Sequence, residues 1–187
     1  MKYEFYYIFQ VIPPPLSPNE TRNGKTNSPK INILLVNTKI PRNTKMMVQK
    51  VAHHLREKPY QIQETMEEID KLSTSAFDIL TKDDNTSDMG SNVYSKWGQL
   101  VNQNQKLLAT GLGVSHLKLD AVCKVASRYG LHAKLTGAGG GGYAFIIVPS
   151  ELPSSIKDGI RTELLEMDCS VRETTLGASG GVKINVM

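Results

Sequence analysis

Residues 134–145 read KLTGAGGGGYAF, and five of the six residues at 137–142 are glycine. An apolar, strand-like run stands on each side of the glycines, so the two runs are expected to pair as antiparallel strands. A plain hairpin turn needs only one or two glycines. A longer run leaves backbone N–H groups free of Cβ atoms in a concavity that suits an anion. We therefore interpret residues 137–142 as a loop close to a phosphate or a small anionic substrate, with a flexible hairpin loop as the plainer alternative.

The bulk composition is that of an ordinary globular protein, with 40% hydrophobic and 21% charged residues among 187. This length predicts one domain, or one domain with an irregular extension. The net charge of +4 is spread along the chain. It is compatible with an anionic substrate, but a charge of this size more commonly has no specific functional meaning. No basic stripe is interleaved with aromatic residues, so nucleic acid is not an expected partner.

The cysteines, histidines and apolar runs exclude several classes of site. Cys123 and Cys169 are the only cysteines and lack CxxC spacing, which predicts neither a metal site nor a disulfide framework. Thiols of this kind favour a reducing, intracellular location. The four histidines show no metal-ligand spacing. The apolar run at residues 3–12 is too short to span a bilayer and contains Glu4, so no membrane segment is expected.

Apolar periodicity and turn residues predict an α+β fold. Strands are expected at 31–36, 131–136, 143–148, 169–175 and 182–186, with a further possible strand at 3–12. Helices are expected at 45–57, 60–80 and 93–108, from a cap at Ser115 to Tyr129, and at 153–167. Clustered strands with separate helices favour an antiparallel sheet with the helices packed on one face. Asn102 to Gln105 could face a site or solvent.

The segment at 37–44 reads NTKIPRNT and leads from a strand into a helix. Asn43 or Thr44 can cap that helix by accepting a hydrogen bond from a backbone N–H group. Lys39, Arg42 and the capped helix N-terminus would together form an electropositive spot. Solvated loop charges are an equally good interpretation of the two basic residues.

With these residues placed, the chain resembles the C-terminal part of the mevalonate kinase family in the GHMP kinase superfamily. The resemblance covers about residues 31–187, and its motifs keep both their order and their spacing. It rests on residues 35–44, 130–142, 173–178 and 180–182, with agreement between them at Asn102, Gln103 and 112–116. The fold that it implies is the GHMP kinase C-terminal domain, with a ferredoxin-like antiparallel sheet.

The resemblance implies transfer of the γ-phosphoryl group of ATP to the 5-hydroxyl of mevalonate, with Mg²⁺, in isoprenoid and sterol biosynthesis. The loop would lie at the floor of the active site, and its predicted substrate- or phosphate-binding residues are Gly137, Ala138, Gly139, Gly140 and Gly141. Thr44 would line the mevalonate pocket, with Lys39 and Arg42 near it. The implied location is the cytoplasm, with peroxisomes as a second possibility.

Residues 1–30 depart from the family pattern. Its ATP loop ends in Gly-Leu-Gly-Ser-Ser-Ala, whereas Pro13 to Pro18 are followed by Asn-Glu-Thr. The catalytic aspartate, the Mg²⁺-binding serine and glutamate, and a lysine all belong to the N-terminal half of the family, and nothing at 1–30 matches them. We therefore expect a divergent or disordered lead at 1–30, a C-terminal domain at 31–187, and no catalytic or metal-binding residue in this chain. The isolated domain is predicted to be inactive and to self-associate, with a homodimer as one form.

Two other functions remain open. One is a non-catalytic module that keeps the anion loop and binds a phosphorylated metabolite or a partner subunit. The other is a different GHMP kinase, such as a phosphomevalonate or homoserine kinase. The run at 37–44 disfavours the latter, because it most resembles the mevalonate kinases.

Overall fold

The computed structural model of the protein describes residues 31–82 and 91–176. A π-helical turn, Leu107–Gly111, follows the third helix. The strands predicted at 3–12 and 182–186 lie outside the described residues, and the boundary at residue 30 stays a prediction. The elements of the described ranges, in chain order, are β1 (Ile31–Asn37), α1 (Thr44–Glu57), α2 (Pro59–Lys82), α3 (Ser91–Lys106), α4 (Leu117–Arg128), β2 (His132–Leu135), β3 (Tyr143–Val148), α5 (Ser154–Glu166) and β4 (Ser170–Leu176).

The four described strands form one antiparallel sheet in the order β2-β3-β1-β4. The two strands that flank the glycine run pair with each other, with Lys134 opposite Phe145. β1 lies between β3 and β4, with Ile33 opposite Ile147 on one side and opposite Thr174 on the other. The predicted α+β class and the antiparallel pairing around the glycines are confirmed.

Alternation along β1 and β3 directs two sets of apolar side chains to opposite faces of the sheet. Leu34 and Ile146 are cross-strand partners on the face that carries the larger core, and both are at most 1% exposed. The helices contribute buried residues at helical spacing to this core: Val51, Ile62, Ile69, Leu119, Val122, Val125, Ile160 and Leu164. Packing of helices on one face, as predicted, therefore accounts for most of the interior.

A second, smaller cluster lies on the opposite face of the sheet. Ile33 and Ile147 meet there with Ala76 of α2 and with Trp97 and Val101 of α3. α3 also runs along the free edge of β2, where the Asn102 amide lies 2.8 Å from Nδ1 of His132. The sequence did not predict this second cluster. A helix beside a sheet edge and a helix on a sheet face have the same apolar period, so the period cannot distinguish the two positions.

The helix boundaries agree with the predicted ones to within about two residues, and one cap was assigned wrongly. Asn43 caps α1, because its side chain accepts a hydrogen bond from the amide of Met46 at 3.0 Å. For α4 the cap is His116, whose Nδ1 accepts from the amide of Lys118. The predicted cap, Ser115, instead donates its hydroxyl to Asp120 Oδ1 at 2.6 Å. Gly130 follows α4 with φ +71°, as expected of the residue that closes a helix.

The π-helical turn after α3 was not predicted. The amide of Leu112 donates to the carbonyl of Leu107, five residues back, at 3.0 Å. Apolar spacing cannot separate this wider turn from a continued α-helix, because Leu108 and Leu112 are buried in either case. Among the described residues, no helix is both long enough and apolar enough to cross a membrane.

Truncation of the central core is expected to cost far more stability than truncation of an exposed apolar side chain. Ile146→Ala should lower the free energy of unfolding by about 2–5 kcal/mol, since it removes buried methyl groups and leaves a cavity. Leu165→Ala is the control, because Leu165 is 55% exposed, and it should change stability by about 0.5 kcal/mol or less. Chemical denaturation of both variants tests this, and equal losses would contradict the assigned core.

Candidate functional site

The glycine loop is closed at its base by the sheet. The amide of Thr136 donates to the carbonyl of Tyr143 at 2.9 Å, so β2 and β3 enter the loop as a hydrogen-bonded pair. All five glycines of the loop have positive φ, between +70° and +145°. L-residues other than glycine reach this backbone region only at a cost in energy. The glycine run is therefore required by the path of the chain, whatever the loop binds.

On one side, the loop is joined to the segment that follows β1. The buried side chain of Thr38 and its own amide both donate to the carbonyl of Gly142, at 2.8 and 2.9 Å. In return, the amide of Gly142 donates to the carbonyl of Ile40 at 2.9 Å. Three hydrogen bonds thus fix the loop against residues 38–40.

On its other side, the loop packs against the residues that precede α4 and against α1. The amide of Gly140 donates to the carbonyl of Val114 at 2.8 Å. A Cβ atom placed on Gly139 would lie 2.0 Å from that carbonyl oxygen, and one on Gly140 would lie 2.8 Å from Sδ of Met47. Backbone and side chains approach so closely that neither position accepts a side chain without movement.

These contacts modify the expectation that the loop amides point outward. Two of them, at Gly140 and Gly142, are bonded inside the protein. Part of the glycine run therefore serves close packing of the backbone. An anion at the loop would have to be met by the other amides and by neighbouring side chains.

Arg42 is the basic side chain that lies against the loop. A Cβ atom on Gly137 would be 3.2 Å from Nη1 of Arg42, and one on Gly142 would be 3.4 Å from its Cδ. The arginine side chain therefore runs past both ends of the glycine run. Arg42 is itself exposed, so its guanidinium is accessible to a ligand from solvent.

Thr44 occupies the first position of α1 and is exposed. Met47, three residues later, is the α1 side chain nearest to Gly140 in space. Residues three apart on a helix share a face. Thr44 and the N-terminus of α1 therefore lie on the side of the helix that meets the glycine loop, close to Arg42 in the chain.

Lys39 is held on the other side of β1. Its ammonium pairs with Asp168 Oδ1 at 2.5 Å, just before β4 begins. The ammonium of Lys118 donates to the carbonyl of Asp168 at 3.2 Å, which places a second cation at the same turn. The predicted electropositive spot is thus divided: Arg42 and the α1 terminus lie on the β3 side, and Lys39 lies on the β4 side.

The backbone of this pair is itself unusual. Lys39 and Asp168 have φ of +57° and +54°, and they are the non-glycine residues with positive φ in the described part of the chain. The amide of Lys39 donates to Asn37 Oδ1 at 2.9 Å, which offsets part of that cost. The hydrogen bond and charge of Lys39, with a smaller effect of Lys118, lower the pKa of Asp168.

Burial shifts the pKa values of Lys134 and of the two cysteines. Burial lowers the pKa of Lys134, which lies 5.9 Å from the ring centre of Phe145, to about 8. Burial, with the charge of Asp120, raises the pKa of Cys123 to about 12. Burial also raises the pKa of Cys169. Both cysteines are free thiols that stay protonated at neutral pH, which makes them poor nucleophiles.

Sequence reasoning named the loop, Arg42 and Thr44, and missed their supports. Val114 and Ile40 contact the loop through backbone carbonyls, which no sequence pattern reports. Met47 lies within the helix predicted at 45–57, but that position alone does not predict a contact with the loop. Asp168 was not singled out, although an aspartate between a helix end and a strand is a typical turn residue. In the described residues, no group of three or more His, Cys, Asp or Glu side chains is placed to hold a metal ion.

Comparison with known proteins identifies the fold around this site. Residues 87–164 match the family described as the GHMP kinases C terminal. The described residues have the fold of a GHMP kinase C-terminal domain. It is 34% identical to the Homo sapiens mevalonate kinase over 157 residues, which cover 82% of this chain and 38% of that protein. The chain thus spans about two fifths of the length of the curated relatives that it matches.

Two solved structures extend the comparison. The Methanococcus jannaschii mevalonate kinase is 30% identical, with a TM-score of 0.57, and the match covers 76% of this chain and 38% of that one. The L. major mevalonate kinase, solved in complex with R-mevalonate, has a TM-score of 0.65 at 24% identity, covering 83% and 47%. At this identity the second likeness concerns the fold. The described part of this chain therefore has relatives in sequence and in structure among mevalonate kinases.

Two glycines of the domain separate the cost of backbone conformation from the cost of lost space. Gly130→Ala should lower the free energy of unfolding by about 1–2 kcal/mol, because φ is +71° but no atom lies within 4 Å of the added Cβ. Gly139→Ala should lose about 2–5 kcal/mol, since overpacking against Val114 adds to a similar backbone cost. Denaturation, with the ¹⁵N shift of Gly140 as a local probe, tests the difference. Equal losses would mean that the loop is not packed against Val114.

The Lys39–Asp168 pair predicts a pH dependence with a defined sign. The folded pKa of Asp168 lies below the unfolded value of about 3.9, so the stabilisation is present above that value and is lost as pH falls through the folded pKa. Lys39→Gln should raise the Asp168 pKa towards its ordinary value, as measured by ¹³C NMR titration of the carboxyl. Lys157→Gln, which breaks a pair with Glu173, is the control and should leave it unchanged.

Proposed function

We propose that this chain supplies the substrate-side part of a mevalonate kinase site, at which the 5-hydroxyl of mevalonate receives a phosphoryl group from ATP. One observation carries the proposal: residues 38–44 and 137–142, about a hundred positions apart, are hydrogen-bonded to each other and place Arg42 against the glycine loop. Identity of 34% to the Homo sapiens mevalonate kinase supports this choice within the GHMP kinases. The proposed setting is the cytoplasm.

Arg42 is proposed to hold the negative oxygens of the substrate or of the transferred phosphoryl group. A guanidinium keeps its charge at any physiological pH and presents several donors in a plane. Phosphoryl transfer depends on positioning and on stabilisation of charge at the phosphoryl oxygens. The absence of a side chain at Gly137 leaves Arg42 room to lie against the loop. Thr44, on the same face of α1, would contact the mevalonate end of the substrate.

The described residues fit one part of the ATP–Mg²⁺ pair and not the other. Arg42 and the loop amides that are not bonded internally suit a phosphate. A Mg²⁺ ion prefers carboxylate oxygens, and the aspartate found near this segment, Asp168, is engaged by Lys39. We therefore assign the phosphate to these residues, and we derive no step through the metal ion.

The same reasoning limits what the 187 residues can do alone. They contain no Gly-Leu-Gly-Ser-Ser-Ala run, and the matched relatives are more than twice as long. We propose that ATP binding and activation of the hydroxyl depend on groups that these residues do not supply. The second candidate function is a non-catalytic module that binds a phosphorylated metabolite or a partner subunit, which can be a second copy of this chain. The intact loop and Arg42 favour it as well.

Turnover separates a complete kinase from both proposals. We expect the purified chain to release no ADP above background with mevalonate, ATP and Mg²⁺, because removal of even one charge-stabilising donor costs about 10²–10³ in rate. A coupled ADP-release assay measures this. An intact mevalonate kinase in the same assay is the positive control, and mevalonate-dependent turnover by the chain would overturn the proposed division of the site.

Binding tests the role of Arg42 without requiring turnover. The chain should bind 5-phosphomevalonate in a calorimetric titration, and Arg42→Gln should weaken that binding about tenfold or more, since a charged hydrogen bond contributes about 1.5–3 kcal/mol. Arg161→Gln, an exposed arginine on α5, is the matched control and should bind as the wild type does. Equal affinity of all three proteins would remove Arg42 from the site.

A further inference from the structure

An open cavity of about 420 Å³ lies at the opposite end of α1 from Arg42 and Thr44. It is bordered by the last turn of α1, the first turns of α2 and the π-helical turn. The lining residues that matter here are His53, His54, Lys58, Gln61, Thr65 and Thr110. A cavity of this size can hold a small organic molecule. None of these residues belongs to the glycine loop or to the segment that contacts it.

The walls of this cavity are built by local features of the backbone. Lys58 separates α1 from α2, and its amide donates to the carbonyl of His54 at 2.8 Å. The π-helical turn is pressed against α2, because a Cβ atom on Gly111 would lie 2.4 Å from Cγ2 of Thr65. π-Helical turns within α-helices occur often at functional sites. The helix ends and the tight contact at Gly111 therefore fix the shape of the cavity walls.

The charges at the cavity favour an anion. Lys58 lines it, and the ammonium of Lys50 donates to the carbonyl of Gly113, a lining residue, at 2.5 Å. The rings of His53 and His54 also line the cavity. The acid in the lining, Glu57, is engaged by His53, with Nε2 and Oε1 3.4 Å apart. Lys58 is thus left to meet negative charge, and the ring of His54 can donate a hydrogen bond to an anion.

The hydroxyls at the cavity favour a ligand that donates hydrogen bonds as well. The hydroxyl of Thr65 donates to the carbonyl of Gln61, and that of Thr110 donates to the carbonyl of Lys106, both at 2.8 Å. Their protons are committed to the helix backbone, so the two oxygens can only accept from a ligand. We propose that this cavity is a second binding site, distinct from the glycine loop, for a small anion that carries hydroxyl groups.

In this site, Lys58 and His54 hold the anionic end of the ligand, and the oxygens of Thr65 and Thr110 accept from its hydroxyls. The site is connected to the glycine loop by two consecutive residues. Gly113 lines the cavity, and the next residue, Val114, accepts the hydrogen bond of Gly140. The site does not depend on the proposed kinase function, because no residue of the loop or of the 38–44 segment contributes to it.

Glycerol 3-phosphate is the probe, because it combines a phosphate with two hydroxyls. Sulfate has the charge without donors, and glycerol has the hydroxyls without charge. In ¹H–¹⁵N spectra of the whole chain, Gly111 and Gly113 report on the cavity, and Gly137 and Gly142 report on the glycine loop. We expect saturable shifts of Gly111 and Gly113 with glycerol 3-phosphate, at least tenfold weaker binding of sulfate, and no binding of glycerol.

Two variants test the assigned contacts. Lys58→Glu should weaken binding of glycerol 3-phosphate at Gly111 and Gly113 at least tenfold, whereas Lys71→Glu, the same charge change on the exposed side of α2, should not. Thr110→Val keeps the shape of the side chain and removes the acceptor. It should weaken glycerol 3-phosphate and leave sulfate unchanged, which keeps the test valid if Lys58→Glu fails to fold.

Three results would overturn the second site. Shifts confined to Gly137 and Gly142 would show that the anion uses the glycine loop alone. Equal affinity for sulfate and glycerol 3-phosphate would contradict the proposed contacts with the ligand's hydroxyls. Unchanged binding of glycerol 3-phosphate in Lys58→Glu would contradict the proposed contact between Lys58 and the anionic end of the ligand. Failure of 5-phosphomevalonate to bind at the loop would affect the proposed kinase function and not this site.

Discussion

The carbonyl of Gly142 accepts two hydrogen bonds from Thr38, and its amide donates to Ile40. This reciprocal contact joins the end of β1 to the loop between β2 and β3, and both segments of the candidate site take their positions from it. The side chain of Thr38 is fully buried, so its hydroxyl and the Gly142 carbonyl satisfy each other away from water. An unpaired polar group at that depth would cost about 1–3 kcal/mol. Because this contact fixes the backbone at residues 38–40, it also sets where Arg42, two residues later, lies against the loop.

Charge is distributed on the two sides of β1 by the same geometry. Sheet order places β3 on one side of β1 and β4 on the other. Of the two basic residues that follow β1, one lies on the β3 side and the other on the β4 side. Arg42 turns to the glycine loop and stays accessible, whereas Lys39 turns to Asp168. Lys39 and Asp168 both adopt left-handed backbone conformations, which cost energy in residues other than glycine. A single basic segment thus provides one accessible side chain at the glycine loop and another for an ion pair.

Much of the secondary structure was predictable because its signals are local. The apolar strand β1, the helix stripes that end at Gly130, and the strand pair around the glycines all follow from period, capping and turn residues in short windows. The cap at His116 and the π-helical turn were not predictable. Ser115 is an ordinary cap residue, but Asp120 lies one turn away and takes its hydroxyl. At the candidate site, the glycine run and Arg42 were visible in sequence, whereas the contacts made by Val114, Met47 and Asp168 were not.

The sequence by itself determined that the chain has an α+β fold with a glycine loop between paired strands, because alternation, helical period and glycine runs act over neighbouring residues. It also carried the resemblance to the mevalonate kinases, which depends on motif order. Only the tertiary structure decided which groups meet. It showed that two loop amides are bonded internally, that Lys39 and Arg42 lie on opposite sides of β1, and that two helix ends border an open cavity. The physical reason is that each of these contacts joins residues distant in the chain, often through backbone atoms that every residue shares.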